Sequence, residues 1–193
     1  MIYIIRHGQT EKNRVRVLQG RSDIPLNKEG KNQARCVRDW FQSQAITFDM
    51  VYSSPLQRAI ETAHIITDTC PVRIDRRLIE MDYGPYEGMD LTKPLPEVAL
   101  FFSDFVRNPA PTGMEPLEEV VRRAGSIMKD IKEGSRENNI LVSTHAIAMK
   151  GILEYLTPDS LGSWWSKYVG NCSVYCTEVV GDRYTVPKEV FCL

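Results

Sequence analysis

The chain has no surplus of charge, no long apolar run and no low-complexity tract. Its 24 Lys and Arg against 25 Asp and Glu leave a net charge of −1. Nothing in bulk therefore draws it to nucleic acid or to a membrane surface, and any anion it binds must be held locally. No stretch approaches the roughly 20 apolar residues that a membrane-spanning helix needs. The N-terminus lacks a basic segment followed by an apolar run and a cleavage site, so no signal peptide is expected and the expected location is cytoplasmic. The five cysteines (36, 70, 172, 176 and 192) are odd in number and scattered, which suits a reducing compartment better than a disulfide framework. Cys172 and Cys176 are the one close pair; with no second pair of ligands nearby they read as ordinary thiols, not a metal site. What is present is 193 residues, 42% apolar and 25% charged, enough for a single domain over 1–193 with a full core.

Strand and helix patterns alternate along most of the chain. Ile2 to Ile5 are apolar or aromatic and mostly β-branched, as a buried strand reads. Glu11 to Pro25 is polar, with Lys12, Arg14, Arg16 and Arg21, and reads as a loop long enough to be functional. Asn27 can cap a helix from about Lys28 to Ser43 with Ala34, Val37, Trp40 and Phe41 on one side. A second strand, Phe48 to Ser53, leads into a helix for which Ser54 is the expected N-cap and Pro55 the first helical residue, running to about Asp68. Val72 to Asp75 reads as a third strand. A helix from Pro96 to about Val106, a strong helix from Pro116 to about Gly134, a strand Ile140 to Thr144 and a helix Ala146 to Leu156 follow. Cys172 to Val180 and Arg183 to Val186 flank Gly181-Asp182 as a hairpin. This alternation predicts a three-layer α/β/α sandwich with a mostly parallel central sheet. The segment 84–112 interrupts it and reads as a small insertion capping the site.

Three strand ends release polar groups. Arg6, His7 and Gly8 follow the first strand, Ser53-Ser54 lead into the helix bearing Arg58, and His145 follows the later strand. In a parallel sheet these ends share one edge, where open α/β folds bind ligands. Gly8 allows a sharp turn or a close approach to a ligand, and a helix starting at Pro55 aims peptide dipoles at an anion. Two guanidinium forks and two imidazoles suit a phosphate group, and a neutral imidazole is itself a nucleophile toward phosphorus. The residues alone leave open which of His7 and His145 attacks. Glu80, in an acidic loop after the third strand, is the candidate to protonate the leaving oxygen and then deprotonate water. His64, mid-helix, reads as structural.

Those residues also carry a pattern. Arg6-His7-Gly8-Gln9-Thr10 with Asn13, Gly20-Arg-Ser-Asp-Ile-Pro-Leu26, Ser53-Ser54-Pro55-Leu-Gln-Arg58-Ala59 with Glu61-Thr62-Ala63, Glu80-Met-Asp-Tyr-Gly84 with Glu87-Gly88, and Val142-Ser-Thr-His145 resemble, in order, the signature of the histidine phosphatase superfamily, the phosphoglycerate mutase-like proteins. The resemblance implies a phosphohistidine intermediate on His7 and a phosphoryl group held by Arg6, Arg58 and His145. It further implies Glu80 as proton donor, Asn13, Gln19 and Gly20 lining the same pocket, and no metal or other cofactor. The partner it implies is a small phosphorylated substrate.

The mutases of this superfamily carry extra basic residues after the Glu-containing loop to hold a second phosphate. Here Asp90 to Asn108 has only Lys93 and Arg107 as cations, which favours net hydrolysis over transfer back to substrate. A phosphoglycerate mutase-type transferase is the alternative, and a non-catalytic phosphate-binding regulator a third reading. Pro111-Thr-Gly-Met-Glu115 with Arg122-Arg123 is similar to a segment of the α-ribazole phosphatases and their broad-specificity relatives, except at Met114-Glu115-Pro116, where a glycine and a small residue are usual. Trp164-Trp165 and the C-terminal hairpin suit core and homodimer interface equally.

Overall fold

β1, Ile2–Arg6, runs through the interior of the sheet. The computed structural model describes residues 1–68 and 70–193, and in it β1 pairs in parallel with β4 (Ile140–Thr144) and antiparallel with β5 (Val174–Thr177). The sheet continues through β2 (Met50–Ser53) and β3 (Val72–Ile74) on one side and β8 (Lys188–Phe191) on the other, in the order β3-β2-β4-β1-β5-β8. The first four strands in that order are mutually parallel and the last two antiparallel. A separate small hairpin joins β6 (Val179–Val180) to β7 (Arg183–Tyr184) across Gly181.

The period of two sorts the strand residues between two cores. Ile2, Ile4, Ile140 and Val142 face one cluster with α5 (Leu117–Ile131) and α6 (Ala146–Leu156). Tyr3, Ile5, Val51 and Leu141 face the other, with α2 (Lys28–Ser43) and α3 (Gln57–Thr67). Each fully buried isoleucine is worth roughly 1.5–3 kcal/mol of transfer free energy, so both faces press β1 into place. The expected three-layer α/β/α sandwich with a mostly parallel sheet is what forms.

The segment 84–112 carries α4 (Pro96–Ser103) and builds a third cluster with Leu18, Met81, Tyr83, Val98, Phe101, Met114, Val120, Ile147 and Trp165. Phe101 is buried and Phe102 and Phe105 half-buried, the three rings meeting one another at 4.8 to 5.5 Å. Their helical spacing serves packing. Trp164 and Trp165, in the short α7 (Ser163–Ser166), are buried within the chain.

Several local expectations are corrected. The stretch after Thr10 is not all loop: Glu11–Arg14 forms α1 because Thr10 and Asn13 satisfy each other's backbone N–H as a capping box. α3 begins at Gln57, not Pro55. Ser54 does not cap it, because its hydroxyl accepts from the N–H of Leu56, the residue just before the helix, and faces His145. α4 stops at Ser103, where the Asp104 side chain takes the N–H groups of Val106 and Arg107. The strand at 172–180 is broken at Glu178, and β8 and α7 are additional elements.

Candidate active site

The carboxyl ends of β1, β4 and β2 are in register, Arg6 opposite Thr144 and Ser53 opposite Ser143. One residue further the backbone is still tied, with His7 N–H on Thr144 O at 2.9 Å and Ser54 N–H on Ser143 O at 3.0 Å. His7, Ser54 and His145 therefore leave the sheet together. The two imidazoles end 5.1 Å apart between ring centres.

Arg58 joins them. It is wholly buried in the first turn of α3, and its Nε lies 3.1 Å from His7 Nε2 and 3.2 Å from His145 Nδ1. Guanidinium nitrogen only donates, so both imidazole atoms must be acceptors. That assigns the tautomers: His7 carries its proton on Nδ1, donated to Gly8 O at 2.7 Å, and His145 carries its on Nε2, donated to Ser54 Oγ at 2.7 Å. His7 Nε2 thus carries the lone pair of the ring, which accepts from Arg58 Nε–H. Arg58 is itself fixed by Gly20 O at 2.6 Å and Ser22 O at 2.8 Å, each taking one N–H from a terminal nitrogen and leaving the other free.

Burial pushes both imidazoles well below their ordinary pKa, and the Arg58 charge pushes them further. Both rings are neutral near pH 7. Burial also lowers Arg58 to about 10 and, on α6, Lys150 to about 8. Lys150 gives its Nζ to Trp165 O at 2.7 Å and lies 5.0 Å over the Phe105 ring. Among the described residues, none of Arg6, Arg58 and Lys150 makes an ion pair with a carboxylate. The single buried carboxylate near them is Glu80, whose charge acts on all three. The site holds an excess of buried positive charge.

Glu80 sits on the N-terminus of α6: Oε1 accepts from Met81 N at 2.9 Å and Ala148 N at 3.0 Å, Oε2 from Ile147 N at 3.3 Å. A helix N-terminus attracts an acidic group in this way. The α3 terminus does the same with Asp23, which takes Gln57 N–H at 2.7 Å. So the helix dipole expected to serve a phosphate there is already used by a side chain.

The remaining candidates frame the crevice. Arg6 gives Nη1 to Val169 O at 2.5 Å, while its buried Nε has no partner. Thr10 Oγ1 accepts Asn13 N–H, so its own proton goes to Gln19 Oε1 at 2.6 Å. The Gln19 amide is thereby oriented with a buried Nε2 that has no partner either. Two orphaned buried donors beside surplus positive charge suit an oxyanion. Asn13 spends its Oδ1 on Thr10 N and Asn171 Nδ2, so any ligand contact falls to its Nδ2. A Cβ on Gly20 would lie 2.6 Å from the Glu87 carboxylate and 2.7 Å from Met81 O and the Tyr83 ring. Gly8 behaves differently from expectation: its close approach is to the Gly30 backbone of α2, not to a ligand.

Several supporting groups had no such role assigned from the sequence. Ser54 holds His145, Thr62 Oγ1 takes Gly8 N–H at 3.1 Å, and Asn171 donates to His7 O at 3.0 Å. Lys150 had a visible signal, a lone cation inside Ala146-Ile-Ala-Met-Lys-Gly-Ile-Leu; Asn171 had none. The Cys172 thiol is pushed up to about 12 by burial, so it is inert. Among the described residues no group of three or more His, Cys, Asp or Glu could hold a metal ion, and no helix is long and apolar enough to cross a membrane.

The histidine phosphatase superfamily (branch 1) matches residues 2–189. A putative phosphoserine phosphatase 2 of Hydrogenobacter thermophilus is 33% identical over 191 residues, covering 96% of this chain and 92% of that protein. A probable phosphoglycerate mutase, GpmB, of Serratia proteamaculans is 33% identical over 156 residues, 77% of this chain and 70% of that one. The crystal structure of a putative α-ribazole-5'-P phosphatase from Escherichia coli shares the fold, with a TM-score of 0.81 at 24% identity over 96% of this chain and 93% of that one. The chain belongs to the histidine phosphatase superfamily. Within it, the protein is a phosphoric monoester hydrolase.

Proposed function

We propose that the protein hydrolyses a small phosphorylated metabolite through a phosphohistidine on His7, without a metal. The observation that carries this is the Arg58 Nε contact to both imidazoles, which leaves His7 Nε2 as a neutral, oriented nucleophile beside cations that have no anion. The His7 lone pair leaves Arg58 Nε–H and forms an N–P bond as the ester P–O bond breaks. Gly8 O stabilises the charge that then develops on the ring through Nδ1–H. Glu80, a carboxylate in the free site, takes up a proton as the phosphorylated substrate binds; the departing alkoxide takes that proton, and water then attacks phosphorus and returns a proton to Glu80. The N–P bond breaks, phosphate leaves and the imidazole is restored. Arg6, Arg58, His145 and the Gln19 amide stabilise the transferring group, which is where most of the rate enhancement of phosphoryl transfer arises. Asn13 and Gly20 line the same pocket.

The substrate carries one phosphate. Lys93 is exposed and Arg107 is paired with Asp104, so residues 90–108 offer little to a second one. The names of two relatives from Hydrogenobacter thermophilus make phosphoserine the first substrate to try, with α-ribazole phosphate beside it. The test is product analysis on phosphoserine, α-ribazole phosphate and 3-phosphoglycerate, with and without a bisphosphate primer and a chelator. Free phosphate is expected, independent of both additions. Primer-dependent isomerisation of 3-phosphoglycerate without phosphate release would make it a mutase, and loss of activity with chelator would overturn the metal-free step.

A further inference from the structure

Glu115 and Arg123 take no part in the chemistry above, yet most of their bonds end on the loop that carries Glu80. Arg123, in the second turn of α5, donates from Nε and Nη2 to the Glu115 carboxylate at 2.7 and 3.1 Å. Both side chains are close to buried, at 13% and 11% exposure. From Nη1 the same guanidinium holds the carbonyls of Arg77 at 2.8 Å and Ile79 at 2.5 Å. Glu115 meets the other end: Oε2 accepts Asp82 N–H at 3.1 Å, and its own N–H donates to Asp82 O at 2.8 Å. Arg21 adds a longer contact of 3.3 Å to that carboxylate. Residues 77, 79 and 82 are thus gripped on both sides of Glu80, whose carboxyl itself touches only amides.

We infer that the Arg123–Glu115 pair is a positioning device for the proton donor, holding the Glu80 loop against α5 so that the carboxyl meets the departing oxygen. The inference rests on the proposed role of Glu80. A planar fork is suited to the task because one guanidinium reaches a carboxylate and two carbonyls at fixed angles, which an ammonium cannot do. Misplacing a catalytic group by about 1 Å can cost on the order of 100-fold in rate.

The test uses two substrates that differ in how much they need a proton. p-Nitrophenyl phosphate releases a stable phenolate unaided; an alkyl phosphate releases an alkoxide that must be protonated. kcat/KM reports the step in which the leaving group departs. Glu80→Gln is expected to lose about 100-fold more on the alkyl than on the aryl ester, in the usual range for general acid catalysis. Arg123→Met and Glu115→Gln are expected to show the same selectivity at about tenfold, and Arg123→Lys to recover part of it. Should Arg123→Met not fold, the isosteric Glu115→Gln carries the test, with thermal melting of each variant as control. Equal losses on both esters in Glu115→Gln, while Glu80→Gln remains selective, would overturn the positioning role. A non-selective Glu80→Gln would instead remove the proton-donor assignment, and the positioning role with it.

Discussion

The crevice around Arg58 and the segment 84–112 are built from different material. In the crevice, Arg58 is wholly buried and its nitrogens reach two imidazoles and two carbonyls. Residues 84–112 instead present aromatic packing on one side and exposed apolar residues that include Leu95, Leu100 and Val106. The first region is fixed by directional bonds between buried polar groups, each costly to leave unmade. The second is held by non-directional burial that tolerates change in shape if volume is kept. Changes in the two regions should therefore read out differently.

The largest expected effect comes from Arg58→Met. It removes the donor that orients both imidazoles and strands the carbonyls of Gly20 and Ser22, so kcat/KM should fall by about 100- to 1,000-fold. The folded state should lose about 1–3 kcal/mol by chemical denaturation, the range for buried groups left unpaired. A loss confined to KM would contradict the account. Next is Gly20→Ala, whose added methyl meets the Glu87 carboxylate, Met81 O and the Tyr83 ring. About 1–3 kcal/mol of destabilisation should follow from overpacking, along with lower activity because Gly20 O no longer anchors Arg58. Unchanged stability would show that this loop yields as easily as the segment 84–112.

A third effect is smaller and global. Burial and then the Arg58 charge depress the pKa of His7 and of His145 in the folded state. Below the unfolded value of roughly 6.5 the unfolded chain binds protons that the native chain refuses, so its stability should be full above that pH and fall as the pH drops through and below it. Denaturation midpoints from pH 8 to pH 5 measure this, and a His7→Gln, His145→Gln double variant should flatten the slope in that window. The smallest effect is expected from Phe102→Ala in segment 84–112: a change of a few-fold in KM that varies with the leaving group, with kcat little altered, as loss of uniform binding predicts.

The same division explains what the sequence revealed. Arg6, His7, Arg58 and His145 were legible because strand ends and the first turn of a helix fix where side chains emerge, and because the motif blocks carrying them are specific. Expectations failed where a side chain competes with the regular backbone pattern. Ser54 looks like an N-cap by position, but its hydroxyl is committed to His145 and Leu56 N–H. Asp23, not a ligand, occupies the helix terminus. Thr10 and Asn13 make a one-turn helix from a run that is polar throughout. In the sequence Arg123 belongs to a segment similar to the α-ribazole phosphatases, and Glu115 to a local departure from it. Their grip on residues 77, 79 and 82 depends on tertiary contacts some 33 to 46 residues apart, which no local spacing encodes.

The most direct test of the account is to trap the phosphoryl group on the enzyme. Rapid acid-free quenching of a single turnover, followed by mass spectrometry of the digested chain, should find phosphate on His7 and nowhere else. The label should be labile in acid, absent from His7→Ala, and longer-lived in Glu80→Gln, where water is not activated. Phosphate on His145, or a full single turnover in which no protein-bound phosphate ever forms, would contradict it.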